Sequence, residues 1–312
     1  ISRRIEAENI EYEFIEKATQ YLKDICNNRF KTIEQLKVEN PISRGKYSGR
    51  SLGILIFRAI TMQQSLSSSP YAAIEMLEKR YNRFPNEREA ITELINLAKQ
   101  IEPAKIKLLK KVLKEVENEQ SIIFCLRRAT VEKLKHIIDE EFGPAEIYWG
   151  STTHGQRKEL VEKFKKGKIK YLVATDAAAE GLNLQQCNVM FNYDLHWNPM
   201  KIEQRIGRVH RLGQERDVTI FNLSIKDTID DYVLHVLYQK IKLFTLTIGG
   251  MENILAEVKE GTEDIERAIM EIILRSKNRR NIKEEIRKLS ENIAHAKKKQ
   301  ELASQFTQGV LS

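Results

Sequence analysis

The sequence predicts an α/β fold: an open, mostly parallel sheet with helices on both faces, flanked by an N-terminal helical region and a C-terminal helical tail. Three observations predict it. From Ser121 onward, five short apolar runs alternate with helical segments, the order that right-handed strand–helix–strand crossovers produce. Before that point, apolar residues recur at helical spacing between Pro and Ser breaks. After Gly249-Gly250 the chain is charged and helical, with a single apolar stripe at Ile265, Ile269, Ile272 and Ile273. The expected divisions are 1–102, 103–248 and 249–312.

Each element has a local reason. Residues 1–38 read as helix, with Ile5, Tyr12, Ile15, Leu22 and Ile25 near helical spacing. Residues 40–50 read as a basic loop carrying Arg44, Lys46 and Arg50. Leu52 to Leu66 is an apolar helix. Ser69 caps the next helix, with Pro70 at its first position. Further helices open at Pro85 and Pro103. The strands are expected at 122–126, 146–149, 170–175, 188–193 and 218–223, and their continuous apolar character is that of a sheet covered on both faces. Thr153 and Gln156 form a capping-box pattern, Pro199 opens a helix, and Asp227-Thr228 caps another.

Composition narrows the class. With 312 residues, the chain holds two domains, or one domain with accessory helices. Its longest apolar run, Leu52–Phe57, is too short to span a bilayer, so no membrane partner is expected. A net charge of +8 leans toward a polyanion. The three cysteines, Cys26, Cys125 and Cys187, lie far apart without metal spacing, which predicts no metal site and fits a reducing, cytoplasmic setting. The first residue is Ile, and the chain reads as a piece of a longer protein.

Chemistry is expected beyond the carboxyl ends of the strands. Gln204, Arg208 and Arg211 fall on one stripe of the helix after Pro199, while Ile202, Ile206 and Val209 fall on the other. Two guanidiniums one turn apart make a face of forked donors suited to phosphate, although arginine pairs on helices also serve as plain solvated surface. Thr175-Asp176 ends the third strand, and Gly181 permits a tight turn after it. Ser151-Thr152 follows the second strand with free hydroxyls. Trp197, after the fourth strand, either stacks on a base or packs within its loop. His154, His196 and His210 are isolated, and none is read as a catalytic base.

In order, Ile122–Cys125, Tyr148–Gly150 with Arg157 and Phe164, Thr175–Leu184, Asp194–Pro199 and Gln204–Gln214 resemble the successive motifs of the second RecA-like lobe of superfamily-two helicases. Trp197-Asn198-Pro199 and the ending Arg211-Leu212-Gly213-Gln214 resemble the SWI/SNF-type DNA translocases. Asp176 and Glu180 depart from the eukaryotic remodeller pattern and look closer to the prokaryotic branch. The resemblance is specific from Lys105 to about Lys242. It is weaker over Leu52–Arg80, which looks like a helical insertion, and it does not reach the tail after Gly250.

The resemblance implies an ATP-driven motor on duplex DNA. Arg208 and Arg211 would be arginine fingers, and Gln204 would link nucleotide to lobe closure. Gly181, Asp176 and Gly207 would lie on the nucleotide side. Thr175 with Ser151 and Thr152 would hold a phosphate of the tracked strand, and Trp197 would lie near the nucleic acid. ATP and Mg2+ would be bound mainly by a first lobe of the same polypeptide, and the C-terminal helices would be open to a protein partner. No G-x-x-x-x-G-K-[ST] phosphate loop precedes these motifs, so the chain is expected to hold half an ATPase site and not to hydrolyse ATP alone. The alternatives are the second lobe of an RNA helicase, or a non-catalytic scaffold of the same fold.

Overall fold

The computed structural model describes residues 1–39, 49–176, 187–209, 217–235, 265–289 and 291. The chain divides into two compact units, residues 1–196 with 200–226, and residues 197–199 with 227–312.

The first unit is built on a six-stranded sheet. Its strands are β1 (Ser2–Ile5), β2 (Ser121–Cys125), β3 (Ala145–Tyr148), β4 (Tyr171–Thr175), β5 (Val189–Asn192) and β6 (Thr219–Ile225). Their order across the sheet is β1-β6-β5-β2-β4-β3, and every pairing is parallel. Around it run α1 (Asn9–Glu39), α2 (Gly49–Ser68), α3 (Pro70–Arg83), α4 (Arg88–Ala98), α5 (Ala104–Glu115), α6 (Arg128–Glu141), α7 (His154–Lys165) and α8 (Pro199–Val209).

Alternation along the strands splits the core into two layers. Ile123, Cys125, Val173, Phe191 and Leu223 face one way and pack with Leu109, Val112 and Leu113 of α5 and Val131, Leu134 and Ile138 of α6. Ile122, Phe124, Leu172, Ala174 and Met190 face the other way, where Phe164 of α7 and Val209 of α8 cover them. This two-sided burial explains the continuous apolar runs. It also closes Cys125 and Cys187, both fully buried. Burial pushes the Cys187 thiol up to about 12 and the Cys125 thiol well above its ordinary value. Both thiols stay protonated at neutral pH.

Local caps follow the sequence. The Ser69 side chain accepts from Ala72 N, and Thr153 and Gln156 make both bonds of the capping box. α5 begins at a proline N-cap that has no side chain to offer. Glu11 of α1 supplies the missing acceptor, taking a hydrogen bond from Ala104 N at 3.0 Å.

β1 departs from the expected helix over residues 1–38. Its four residues pair with Asn222–Ile225 of β6, more than two hundred positions away. Ser-Arg-Arg-Ile carries no local strand signal, so the pairing is decided by the open edge of β6.

In the second unit, residues 229–235, 265–275 and 279–289 are helical. Ile265, Ile269, Ile272 and Ile273 are buried, as their spacing predicts, and Ile282 and Ile286 join them. Lys283 Nζ lies 2.8 Å from Asp227 Oδ1 and over the Tyr232 ring. Asp227 sits at φ 54, with its N–H held by the Asp231 carboxylate. Of the expected basic loop 40–50, residues 40–48 lie outside the described residues, and Gly49 and Arg50 begin α2 instead. The Gly249-Gly250 hinge and the Lys297–Lys299 cluster also lie outside the described residues.

Candidate functional site

Register places the expected loops side by side. Tyr148 pairs with Ala174, Cys125 with Thr175, and Phe124 with Asn192. The segments that follow β3, β4, β2 and β5 therefore leave the sheet along one carboxyl edge. The Ser151-Thr152 turn follows β3 and Thr175 ends β4, at neighbouring strand ends of that edge.

The Ser151-Thr152 turn is braced from below. Thr152 Oγ1 accepts from Trp149 N at 3.2 Å. Arg157 on α7 donates to Thr152 O at 2.8 Å and to Gly150 O at 3.1 Å. Ser151 is left exposed.

α8 is fixed at this edge by a residue that sequence reading passed over. Arg205 is 1% exposed. Its Nε donates to Asp176 Oδ1, just past β4. Its Nη1 donates to Asn192 Oδ1 and to Asp194 O, each at 2.8 Å, at the end of β5. Its guanidinium lies 5.1 Å over the Phe124 ring of β2. One side chain thus ties α8 to three adjacent strands. The signal was present in the sequence: at 100° per residue Arg205 falls within the Ile202–Ile206–Val209 stripe, and a cation in an apolar stripe needs buried partners.

Asp194 is the second anchor. It is 2% exposed, and its carboxylate accepts from Lys105 Nζ at 2.8 Å, Leu126 N at 2.9 Å and Ser68 Oγ at 2.6 Å. Lys105 is equally buried and lies 4.8 Å over the Tyr193 ring. Burial first, and the Asp194 charge second, push the Tyr193 phenol well above its ordinary value. Burial also lowers the Arg127 pKa.

With Arg205 turned inward, the other stripe of α8 faces out. Gln204 is exposed. Arg208 is partly exposed, while its Nε is buried and has no hydrogen-bond partner among the described residues. Gly207 is exposed, and a Cβ built on it would meet nothing within 4 Å. A glycine in a helix interior costs about 1 kcal/mol relative to alanine, and no packing among the described residues requires it.

Asp176, expected on the nucleotide side, is also the counter-ion of Arg205, which engages one of its oxygens. Trp197, an expected nucleic-acid contact, is fully buried, and its indole Nε1 is enclosed without a hydrogen-bond partner. A buried ring offers no face to a base, so the reading as a packed loop aromatic holds. Arg211, Gly181, Glu180 and Leu212–Gln214 lie outside the described residues. Among the described residues, no group of His, Cys, Asp or Glu is arranged to hold a metal ion. Nor is any helix among them long and apolar enough to cross a membrane.

Residues 104–213, which span the sheet edge and α8, match the family model described as the helicase conserved C-terminal domain. This lobe is a helicase C-terminal domain. A Bacillus subtilis protein described as an uncharacterized ATP-dependent helicase, YqhH, is 34% identical over 248 residues, covering 78% of this chain and 44% of the relative. The helicase likeness therefore extends well beyond the domain itself, while the chain spans less than half the length of that relative. A second Bacillus subtilis protein, the ATP-dependent RNA helicase DbpA, is 32% identical over 136 residues, which is 42% of this chain and 28% of that protein. Among solved structures, the C-terminal part of the Fun30 ATPase domain superposes with a TM-score of 0.50 at 20% identity, covering 75% of this chain and 88% of that one. That likeness is one of fold, and it includes helices outside the helicase domain.

Proposed function

We propose that this chain is the second motor lobe of an ATP-dependent duplex-DNA translocase. Its first lobe, on the same polypeptide, holds ATP and Mg2+. The observation that carries the proposal is the two-sided character of α8. Arg205 locks the helix to the strand ends, so Gln204 and Arg208 lie on the outward stripe as side-chain donors with Gly207 between them. A partly exposed Arg208, beside a glycine where an added Cβ would meet nothing within 4 Å, fits an anionic group approaching from outside.

In this reading Arg208, with Arg211, stabilises negative charge on the transferring γ-phosphate. Bound ATP and Mg2+ supply the phosphoryl group and its neutralisation; the chain supplies orientation and fixed positive charge. Gln204 senses the nucleotide from the same face. Thr175, Ser151 and Thr152, from the ends of neighbouring strands, serve as phosphate contacts of the tracked strand, which gives grip without sequence preference. The absence of a phosphate-loop motif from the sequence supports an isolated lobe without ATPase activity. A cytoplasmic, prokaryotic setting fits the absence of cysteine pairing, and the helices after residue 249 are open to a protein partner.

The duplex-DNA assignment rests on Trp197-Asn198-Pro199 and the Arg211–Gln214 ending, and the match to an RNA helicase keeps the RNA reading as the rival. Steady-state ATP turnover of the complete protein separates them. Duplex DNA is expected to stimulate turnover at least about tenfold more than single- or double-stranded RNA of equal length, and the stimulation should fall steeply with salt, as phosphate contacts require. Preferential stimulation by RNA would overturn the duplex-DNA reading. No stimulation by either polymer would favour the scaffold.

A further inference from the structure

A run of buried hydroxyls leads from the start of α3 to the carboxylate beneath α8. Ala72 N donates to Ser69 Oγ at 3.2 Å. Ser69 Oγ and Thr130 Oγ1 are 2.8 Å apart, as are Thr130 Oγ1 and Ser68 Oγ. Ser68 Oγ lies 2.6 Å from Asp194 Oδ2. The proton directions are forced. An ionised carboxylate only accepts, so Ser68 donates to Asp194; Ser68 then accepts from Thr130, and Thr130 from Ser69. Ser68, Ser69, Thr130 and Asp194 are each at most 5% exposed, so the run is shielded from bulk solvent and each bond polarises the next.

Capping α3 explains only Ser69. Nothing in that cap requires Ser68 and Thr130, and burying two further hydroxyls costs desolvation that apolar residues would avoid. Their common end point is a residue gripped from the other side: Arg205 Nη1 of α8 donates to Asp194 O. The α2–α3 junction and the helix that carries Arg208 therefore meet on Asp194.

We propose that Asp194 is a positioning residue that couples the α2–α3 junction to Arg208 through this hydroxyl chain and Arg205. A shift of the junction re-aims α8, and with it the guanidinium that faces the transferring phosphate. The proposal rests on the reading of Arg208 given above.

The test is a double-mutant cycle on ATP turnover in the complete protein, using Ser68→Ala and Thr130→Val, with and without Arg208→Lys. Both small substitutions preserve volume and leave Lys105 and Leu126 N on Asp194, so the fold is retained. Each is expected to lower kcat on the order of tenfold, with KM for ATP and melting temperature near wild type, because a misaimed group loses rate before it loses binding. In the Arg208→Lys background, the same substitutions should lower kcat less than about twofold, since the route they perturb ends at Arg208. The proposal is overturned if kcat stays within about twofold of wild type for both variants, or if the losses are equal in the two backgrounds. Arg208→Lys alone leaving kcat unchanged would instead overturn the reading of Arg208 on which the proposal stands.

Discussion

Replacing Arg208 by Ala in the complete protein is expected to lower ATP turnover on the order of 10³-fold or more, the range over which arginine fingers act. Stability should not change with it. Arg208 makes no ion pair among the described residues, and its Nε has no partner to lose. Thermal melting within about 2 °C of wild type is the companion result, since a surface substitution away from any bonded network costs about 0.5 kcal/mol or less. This separation of rate from stability distinguishes Arg208 from Arg205, which sits one turn earlier. Arg205 makes three hydrogen bonds to strand ends, and truncating it should lower both together.

Lys105→Met is expected to give the largest loss of stability, about 3–5 kcal/mol by urea unfolding. Lys105 Nζ and the Asp194 carboxylate are 2.8 Å apart, and each side chain is 3% exposed. Removing the cation leaves a buried carboxylate facing Ser68 and Leu126 N alone. The double variant Lys105→Met, Asp194→Asn should recover a clear part of the loss, because the uncompensated charge is gone. If Lys105→Met costs under about 1 kcal/mol, the pair does not carry the weight assigned to it.

Five strands, the capping box at Thr153 and the start of α8 at Pro199 were legible because each has a local cause: continuous apolar runs, a reciprocal side-chain cap, and a proline with its φ already set. β1 was not legible, because Ser2–Ile5 becomes a strand only when β6 presents an open edge. In the site, the outer stripe of α8 could be read from helical spacing alone. The inner anchors could not. Asp176, Asn192 and Asp194 are far from Arg205 in sequence or on other elements, and only the register of β4, β2 and β5 brings them under one guanidinium. Trp197 stayed open between a base contact and a packed loop aromatic, because nothing local to a loop tryptophan beside Asn and Pro decides its burial; it is one of the largest fully buried side chains among the described residues.

The central claim is that this chain forms one wall of an ATP site and presents Arg208 to a phosphate held by another lobe. The most direct test is ATP turnover by the purified 312-residue chain, with and without saturating duplex DNA, beside the complete protein at equal concentration. No turnover above buffer is expected for the chain alone, and DNA-stimulated turnover for the complete protein. DNA-stimulated hydrolysis by the chain alone, at a rate comparable to that of the complete protein, would contradict it.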